Sequence, residues 1–276
     1  MCFYTFFNPG KDVARYWRQC TTKKKGFNHM GTIVLAISGS LRNKSFTEKM
    51  LDLCIEGMGD NLEVHKFFPH AMKIGPCISC WSCWGKKKPG ECIQKDDFQQ
   101  ILDVYKRADY FLLAAPLYFF DLPASVKNVI DRFFVVLEPA QIGTSRGDTD
   151  HPKRIDRHPK AVLISSCGFP EIGNFDILKN HFHVICDHMD WRWSGDILIS
   201  AAGLANAPIL FDRKYELIRK AGSELIKGEI SKETTEEIAA PVMPAEDYRR
   251  IATLHFTGGP VAEAEIVEIA MKAMNR

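Results

Sequence analysis

The sequence predicts a doubly wound α/β fold, with helices on both faces of a five-stranded parallel sheet in the order 2-1-3-4-5. Three observations predict it. Short apolar, β-branched runs alternate with stretches of helical periodicity along residues 31–205. These runs are apolar at consecutive positions, as in strands that are buried on both faces. Strands that alternate with helices favour right-handed crossovers between parallel strands. The dinucleotide-binding strand order is the alternative.

Each predicted strand is a compact apolar run. The first, "TIVLAIS", begins where the patterned sequence starts, and a polar turn follows it. "YFLLAAPLY" and "KAVLISSCG" have the same character. The predicted strands are residues 32–38, 62–68, 110–118, 160–168 and 195–203.

Helical periodicity fills the intervals between these strands. After the first strand, apolar residues recur at helical spacing up to Met58. The strongest pattern follows the third strand, with Pro123 near its start and a single apolar stripe. That stripe consists of Val126, Val129, Ile130, Phe133, Phe134 and Leu137. Further helices are predicted over residues 97–107, 122–137 and 173–188.

The chain is predicted to have one nucleotide-binding domain, residues 31–205, between two extensions. Residues 1–30 are polar and basic towards their end and form the N-terminal extension. Residues 206–276 are predicted to be a helical C-terminal extension that either packs on the domain or serves as a dimer arm. Within the domain, residues 138–159 are a polar connection, long enough for a lid or a disordered loop.

Composition excludes several classes of protein. The net charge of +2 gives no reason to expect a nucleic acid as partner. The apolar run at residues 110–120 is too short to cross a bilayer. The first residues lack the pattern of a signal peptide, so a cytoplasmic protein without a membrane partner is expected.

Clustered cysteines in a cytoplasmic protein favour metal or redox chemistry over disulfides. Cys2, Cys20, Cys54 and Cys186 are scattered and are interpreted as small buried or surface thiols.

The loop after the first strand, "SGSLRNKSFTEKM", is a candidate phosphate site. At the carboxyl edge of the sheet, its amides and the helix N-terminus offer partial positive charge. It has neither a Walker pattern nor G-x-G-x-x-G. The alternative is structural, because Ser45 and Glu48 form a capping box, S-x-x-E. Its hydroxyl groups and single arginine are Ser38, Ser40, Ser45, Thr47 and Arg42.

Two further loops at this edge are predicted to complete the site. After the third strand come five apolar or aromatic residues that either line a flat ring or fill the core. These are Pro116, Leu117, Tyr118, Phe119 and Phe120. After the fourth strand comes a polar turn, "SSCGFPE", whose backbone can face the polar edge of the same ring. A phosphate cradle, an apolar wall and a polar turn together suit a planar, monophosphorylated cofactor, and FMN fits.

A second candidate site is the segment "GPCISCWSCWGKKKPGEC", with Cys77, Cys80, Cys83 and Cys92. Closely spaced thiols of this kind are typical of iron–sulfur ligation. Zinc ligands more often come as two separated pairs, and a thioredoxin-like couple normally opens a helix. The remaining alternative is a solvated loop that holds nothing, which the three lysines before Cys92 favour.

These motifs resemble the NADPH-dependent FMN reductase family, and most of all its iron–sulfur flavoprotein branch. The resemblance rests on "SGSLRNKSFT", "APLYFFDLPASVKNVIDRF", "ISSCGFPE" and "PGECIQKDDF", and covers residues 31–205. It implies a flavodoxin-like fold, bound FMN, and a homodimer or homotetramer in which a neighbouring subunit borders the flavin. Relatives often carry Pro where Leu41 stands and Gly-Asn where Ser45 and Phe46 stand, so the phosphate contacts differ in detail.

The resemblance also implies roles for individual residues. Ser40, Arg42, Ser45, Phe46 and Thr47 match the phosphate loop. Residues 116–120 match the loop beside the flavin ring, with Tyr118 as the expected ring neighbour. Ser166, Cys167 and Gly168 match the third flavin loop. The branch uses a cysteine motif of this kind to hold a [4Fe–4S] cluster, which assigns Cys77, Cys80, Cys83 and Cys92 as ligands.

Two functions follow as hypotheses. The first is an oxidoreductase that takes hydride from NADH or NADPH onto FMN and passes electrons to a quinone, a flavin or another small acceptor. Amides around Cys167 and Gly168 are expected to stabilise charge on the reduced ring. No catalytic acid or base is assigned, and His151 and His158 either touch the substrate or are merely exposed. The second hypothesis is an FMN/[4Fe–4S] electron carrier that a ferredoxin-like partner reduces.

Overall fold

A computed structural model of the chain describes residues 31–145, 147–205, 207–257, 268–269 and 271–272. The predictions made for residues 1–30, Cys2 and Cys20 lie outside these residues. The strands are Thr32–Ser38 (β1), Leu62–Phe67 (β2), Tyr110–Pro116 (β3), Ile142–Gly143 (β4), Thr149–Asp150 (β5), Lys160–Ser166 (β6) and Arg192–Ile199 (β7). The α-helices are Phe46–Met58 (α1), Phe98–Tyr105 (α2), Ala124–Arg132 (α3), Asp176–Met189 (α4), Asp212–Lys227 (α5), Lys232–Ala239 (α6) and Ala245–Phe256 (α7).

The main sheet has the predicted order. Its five strands run β2-β1-β3-β6-β7, and every neighbouring pair is parallel. Numbered along the chain, these are strands 2-1-3-4-5, so the doubly wound prediction is confirmed and the dinucleotide-binding order is wrong. The order reverses between β1 and β3, and ligands of such sheets bind at the carboxyl ends of the strands near this point.

Continuous apolar runs form the central strands because both faces of the sheet are covered. In β1, Val34 and Ala36 belong to the core on one face, while Leu35 and Ile37 belong to the core on the other. None of these four side chains is accessible to solvent. Helix α1 and the C-terminal helices α5 to α7 contribute to the first core. Helices α2, α3 and α4 contribute to the second.

The C-terminal helices are tied tightly to the sheet and to α1. A Cβ atom on Gly222 of α5 would lie 2.1 Å from the Cys54 carbonyl oxygen of α1, so only glycine permits this approach. Lys214 is buried and donates to the carbonyls of Glu237 at 2.6 Å and Ala240 at 2.7 Å, at the end of α6. Burial lowers the pKa of Lys214 to about 8. Of the helices described, none is long and apolar enough to span a membrane.

Three details differ from the sequence-based prediction. Residues 138–159 are not the disordered loop that was one of the two predictions for them. Strands β4 and β5 form an antiparallel ladder there, and the Arg154 amide donates to the Val136 carbonyl at 2.8 Å. The helix predicted over 122–137 ends at Arg132 and continues as a 3-10 turn, Phe133–Val136. The fifth sheet strand begins at Arg192 rather than 195, because polar residues at its start pair with β6.

Candidate functional site

The three predicted loops meet at the carboxyl edge of the sheet. The Thr47 hydroxyl, in the first turn of α1, lies 2.6 Å from the Ser166 hydroxyl at the end of β6. Both residues are buried, although 119 positions separate them in the sequence. The Leu117 amide, after β3, donates to the Ser166 carbonyl at 2.9 Å. Ser166 therefore contacts both of the other loops.

Gly39 fixes the course of the first loop. A Cβ atom on this residue would lie 2.4 Å from Val126 Cγ2 and 3.2 Å from Ala115 Cβ. The Gly39 amide donates to the Ala114 carbonyl of β3 at 2.7 Å. Because no side chain fits here, the loop passes directly against β3 and α3.

The first turn of α1 has the predicted capping arrangement. Ser45 accepts a hydrogen bond from the Glu48 amide at 3.1 Å, and a Glu48 carboxylate oxygen accepts from the Lys44 amide at 3.0 Å. The capping interpretation of Ser45 is therefore confirmed. Its hydroxyl proton is still able to bond an anion. Helix geometry leaves the amides of Phe46 and Thr47 without partners inside the helix.

The other predicted residues of the first loop differ in exposure. Ser38 and Ser40 are buried, and Arg42 is exposed. The Ser40 hydroxyl accepts from the Arg42 amide at 3.2 Å, which shapes the turn. The Phe46 ring packs against Phe211, with centroids 4.8 Å apart. Phe46 therefore brings its backbone, rather than its side chain, to the helix N-terminus.

A lysine compensates the one carboxylate in this first turn. Lys66 Nζ lies 3.3 Å from Glu48 and 2.7 Å from Asp52. Burial lowers the pKa of Lys66, but the Asp52 and Glu48 carboxylates outweigh this and raise its pKa overall. Lys66 is therefore charged at neutral pH, and Glu48 does not cancel the partial positive charge of the helix N-terminus.

The second loop contains a strained two-residue turn. Tyr118 and Asp121 exchange backbone hydrogen bonds of 3.1 Å, and Phe119 and Phe120 stand between them with φ of 52° and 69°. Such a turn favours Asn-Gly, and each left-handed non-glycine residue costs about 1–3 kcal/mol.

Exposure separates the residues of this loop into two groups. The Phe119 side chain is 99% exposed, and Tyr118 and Phe120 are 39% and 41% exposed. The core-filling alternative is therefore wrong for these three aromatic residues. It holds for Pro116, which is buried, and for Leu117, which packs at the margin of the core.

A histidine and an aspartate join this turn to α4. His181 Nδ1 lies 2.8 Å from a carboxylate oxygen of Asp121, and the same oxygen accepts from the Leu122 amide at 2.7 Å. The His181 side chain is 27% exposed, so the pair lies at the edge of the protein surface. These contacts hold the strained turn against the helix that follows the third loop.

The third loop is held from the side of β7. The Cys167 amide donates to the Ile199 carbonyl at 3.1 Å, and the Ala202 amide donates to the Cys167 carbonyl at 2.9 Å. Burial raises the pKa of the Cys167 thiol to about 11, so the thiol is protonated at neutral pH and is not a nucleophile. The Cys167 amide is already engaged with Ile199, so the expectation that amides of this loop stabilise a reduced ring rests on Gly168 and stays a prediction. Gly168 remains exposed.

The C-terminal helix α7 reaches this third loop. The Tyr248 hydroxyl donates to the Gly168 carbonyl, and Tyr248 is buried. Arg249 pairs with Glu171 at 2.8 Å. The C-terminal segment therefore fixes the orientation of the Gly168 peptide.

The four cysteines of the second candidate site line one cavity of about 270 Å³, together with Trp81, Phe134 and Arg132. Burial raises the pKa of the Cys83 thiol, and the neighbouring Cys92, Cys80 and Cys77 raise it further. A hydrogen bond from Ser82 lowers the pKa of the exposed Cys80 thiol. Within the described ranges, no three Cys, His, Asp or Glu side chains are arranged to hold a metal ion.

An ion pair lies beside this cavity. Arg132 contacts Asp96 through two hydrogen bonds, of 2.8 Å and 3.0 Å, and donates to the Gly75 carbonyl at 3.0 Å. The Arg132 side chain is only 1% exposed. Its Nε atom is buried and has no hydrogen-bond partner.

Aromatic contacts anchor the cysteine segment to the rest of the protein. Trp84 stacks on Phe134 with centroids 4.5 Å apart and donates from Nε1 to the Leu137 carbonyl at 2.9 Å. His151 lies 4.9 Å from the Trp84 ring, so this histidine belongs to the packing of the cysteine segment. His158 contacts the Asp190 carbonyl after α4 and lies in an exposed position.

Comparison with known proteins identifies the family. A model of the family described as "NADPH-dependent FMN reductase" matches residues 32–180, which include all three loops and the cysteine segment. The chain belongs to this family. Its members are FMN-dependent reductases, so a flavin site at the carboxyl edge agrees with the meeting of the three loops.

Archaeal iron–sulfur flavoproteins are among the relatives. One from Archaeoglobus fulgidus is 33% identical over 99 residues, which cover 36% of this chain and 44% of that protein. Another from Methanocaldococcus jannaschii is 33% identical over 100 residues, which cover 36% of this chain and 50% of that protein. The chain spans about half the length of the curated relatives it matches.

Solved structures share the fold at low sequence identity. An FMN-dependent NADH-azoreductase from Bacillus anthracis, in complex with FMN, has a TM-score of 0.51 and 14% identity, covering 71% of this chain and 98% of its own. An NAD(P)H:quinone oxidoreductase from Methanothermobacter marburgensis has a TM-score of 0.50 and 20% identity, covering 71% of this chain and 99% of its own. These similarities confirm the flavodoxin-like fold.

Several residues of these sites were not predicted. Tyr248 and His181 lie on helices whose sequence gives no local sign of a contact with the loops. For Arg132 the sequence contains a weak indication of a special role, because this charged residue stands next to the apolar stripe of α3. Its partner Asp96 lies on a different segment, and a single sequence does not pair the two.

The strained turn at residues 118–121 leads to a prediction about the stability of the protein. We expect Phe119→Gly to raise the free energy of unfolding by about 1 kcal/mol, because glycine adopts the left-handed conformation without strain. Phe119 is 99% exposed in the chain, so little packing within the chain is lost. Urea unfolding followed by circular dichroism measures the change.

Phe169→Gly is the matched control. Phe169 is also exposed at this edge, but its φ is not positive. This substitution should lower stability, because it only adds freedom to the unfolded chain. Destabilisation by Phe119→Gly would contradict the strain argument.

Proposed function

We propose that the protein is an NAD(P)H-dependent FMN oxidoreductase. It takes reducing equivalents from a nicotinamide and transfers them to a quinone, a flavin or another small acceptor. The observation that carries this proposal is the contact of Thr47 with Ser166, which joins the phosphate side and the ring side of one edge. The chain belongs to a family of FMN-dependent NAD(P)H oxidoreductases, and this supports the proposal.

The first loop suits the phosphate of FMN. The amides of Phe46 and Thr47 and the hydroxyl proton of Ser45 are available at the N-terminus of α1. The proposed phosphate contacts are Ser38, Ser40, Arg42, Ser45, Phe46 and Thr47. The Thr47 hydroxyl makes one hydrogen bond with Ser166, as donor or as acceptor. A hydroxyl can do both, so Thr47 can make a further hydrogen bond to a ligand.

The second and third loops suit the flavin ring. Tyr118 and Phe120 are half-exposed aromatic side chains at this edge, and such groups stack on planar rings. We propose Tyr118, Phe119 and Phe120 as the ring-side wall, with the backbone of Pro116 and Leu117 beside it, and residues 166–168 as the polar side. When bound, FMN accepts hydride and releases electrons. The protein positions the ring and excludes water from it.

We further propose a [4Fe–4S] cluster in the four-cysteine cavity. Four thiols that line one cavity are the donor set that such clusters use. A cluster spreads its ligands over four irons, so it needs a wider arrangement than a single ion. The unpartnered Nε atom of Arg132 is a buried donor in the same wall, as expected where an anionic group binds. Cys77, Cys80, Cys83 and Cys92 would hold the cluster.

The second candidate function is a one-electron carrier that a small acidic, ferredoxin-like protein reduces. One observation favours it: a basic cleft of about 500 Å³ adjoins the cysteine cavity and shares Cys92 and Ile93 with it. Complementary charge speeds the association of redox partners. The exposed side chains of Ile78, Trp81 and Ile93 supply apolar area beside the basic groups. The lysines of the cleft are Lys86, Lys87, Lys88 and Lys95.

A homodimer or homotetramer is proposed on the same basis. Phe119 on the second loop and Phe169 on the third are both exposed aromatic residues, and exposed apolar groups often mark subunit interfaces. A neighbouring subunit that covers this edge would also cover one side of the ring.

The first test is reduction of the bound flavin. We expect FMN-loaded protein, mixed with NADH or NADPH without oxygen, to lose its flavin absorbance much faster than free FMN at equal concentration, because the site orients both rings. Stopped-flow absorbance measures the rates. If neither nucleotide bleaches the flavin and a small acidic electron carrier does so rapidly, the carrier function replaces the enzyme function.

The second test concerns the cluster. Protein purified without oxygen should contain about four irons and four acid-labile sulfides per chain, as a [4Fe–4S] cluster requires. Cys83→Ser should lose most of this iron, because it removes one ligand from the cavity. Iron and sulfide assays measure both contents.

Cys186→Ala is the matched control for the cluster test. Cys186 is a buried residue of α4, and burial raises its pKa to about 12. This variant should keep the full iron content. Absence of iron from oxygen-protected wild-type protein would rule out the cluster and leave the flavin function standing.

A further inference from the structure

The Arg132 guanidinium is a buried charge that the flavin site does not use. It is 2% exposed overall and lines the cavity that contains the four cysteines. Its partner Asp96 is also largely buried but does not line the cavity. The positive member of the pair is therefore the one that faces the thiols.

Asp96 does not use the full donor capacity of Arg132. A guanidinium has five N–H groups, and Arg132 directs Nη1 and Nη2 to Asp96 and Gly75. Nε remains buried without a partner, which is unfavourable unless a ligand binds it. Cys92 lines the same cavity as this guanidinium.

The same ion pair also fixes the start of the cysteine segment. Gly75, two positions before Cys77, donates its amide to Asp96 at 3.1 Å and accepts from Arg132 at its carbonyl, at 3.0 Å. The Phe98 ring lies 4.7 Å from the guanidinium carbon and packs against it. Arg132 therefore keeps one position relative to the segment that carries the thiols.

We propose that Arg132 is the buried counter-cation of the cluster in this cavity and raises its reduction potential. This inference rests on the proposed cluster and goes beyond it, because it assigns a role to a residue that is not a ligand. A cluster with four thiolate ligands is anionic and gains one further negative charge on reduction. A fixed positive charge and an N–H group directed at sulfur both favour the reduced form.

Removing the cation and removing the anion should shift the potential of the cluster in opposite directions, which distinguishes this role of Arg132 from a structural one. Arg132→Gln removes the cation and should lower the midpoint potential of the cluster. Asp96→Asn removes the anion but keeps the arginine, and it should raise the potential. A change of at least about tenfold in the reduction equilibrium is expected in each case, which corresponds to about 59 mV for one electron. If the pair only maintained the fold, both variants would change the potential in the same direction or leave it unchanged.

A third variant keeps the test valid if Arg132→Gln fails to fold. Loss of Arg132 removes the charged partner of Asp96 and leaves its carboxylate with the amides of Gly75 and Phe98 as donors, which destabilises the fold. The double variant Arg132→Gln/Asp96→Asn removes both charges and should fold, with a potential between those of Arg132→Gln and the wild type.

Arg157→Gln is the matched control, because Arg157 pairs with Asp109 at 2.6 Å and does not line the cavity. It should not shift the potential.

The experiment is a redox titration of protein purified without oxygen, followed by electron paramagnetic resonance, with iron content measured on each sample. The midpoint potential of the flavin in the same samples serves as an internal reference and should not move. Opposite shifts in Arg132→Gln and Asp96→Asn support the proposal. Unchanged or parallel shifts in iron-loaded protein overturn it while the cluster stands. An iron-free wild type overturns both.

Discussion

The contact between Thr47 and Ser166 is the constraint on which the flavin edge depends. These two buried hydroxyls, 2.6 Å apart, join the first turn of α1 to the end of β6 across the intervening strand β3. A buried hydrogen bond is costly to break, because each group would lose its only partner away from water. The bond therefore fixes the distance between the proposed phosphate loop and the proposed ring-side loops. The edge is preorganised before any ligand arrives.

Helix α3 connects this edge with the cysteine cavity. Val126 in its first turn packs against Gly39 of the first loop, and Arg132 at its end lines the cavity of the four thiols. Arg132 follows Val126 by six positions, which is about 9 Å along the helix axis. The proposed flavin edge and the cysteine cavity thus share one rigid helix. A displacement of α3 would alter both, so their relative geometry is set by the packing of this helix against the sheet.

The sheet could be predicted from the sequence, but the contacts between distant segments could not. Strands such as "TIVLAIS" could be predicted because burial on both faces demands a continuous apolar run, and Ser45 could be predicted as a cap because capping is local. The hairpin in residues 138–159 could not, because its strands β4 and β5 have only two residues each and so show no alternating pattern. The Arg132–Asp96 pair and the Tyr248–Gly168 contact join residues far apart in the chain, and no local pattern encodes them. The roles of Ser40, Arg42 and Thr47 in phosphate binding stay predictions.

The central claim is that this edge of the sheet recognises a flavin nucleotide through its phosphate. Equilibrium binding of FMN and of riboflavin, which differ only in that phosphate, tests it most directly. We predict that the apoprotein binds FMN at least about a hundredfold more tightly than riboflavin, about 2.8 kcal/mol in binding free energy, and that Thr47→Val reduces this preference. Equal affinities of the wild-type protein for the two molecules would contradict the account.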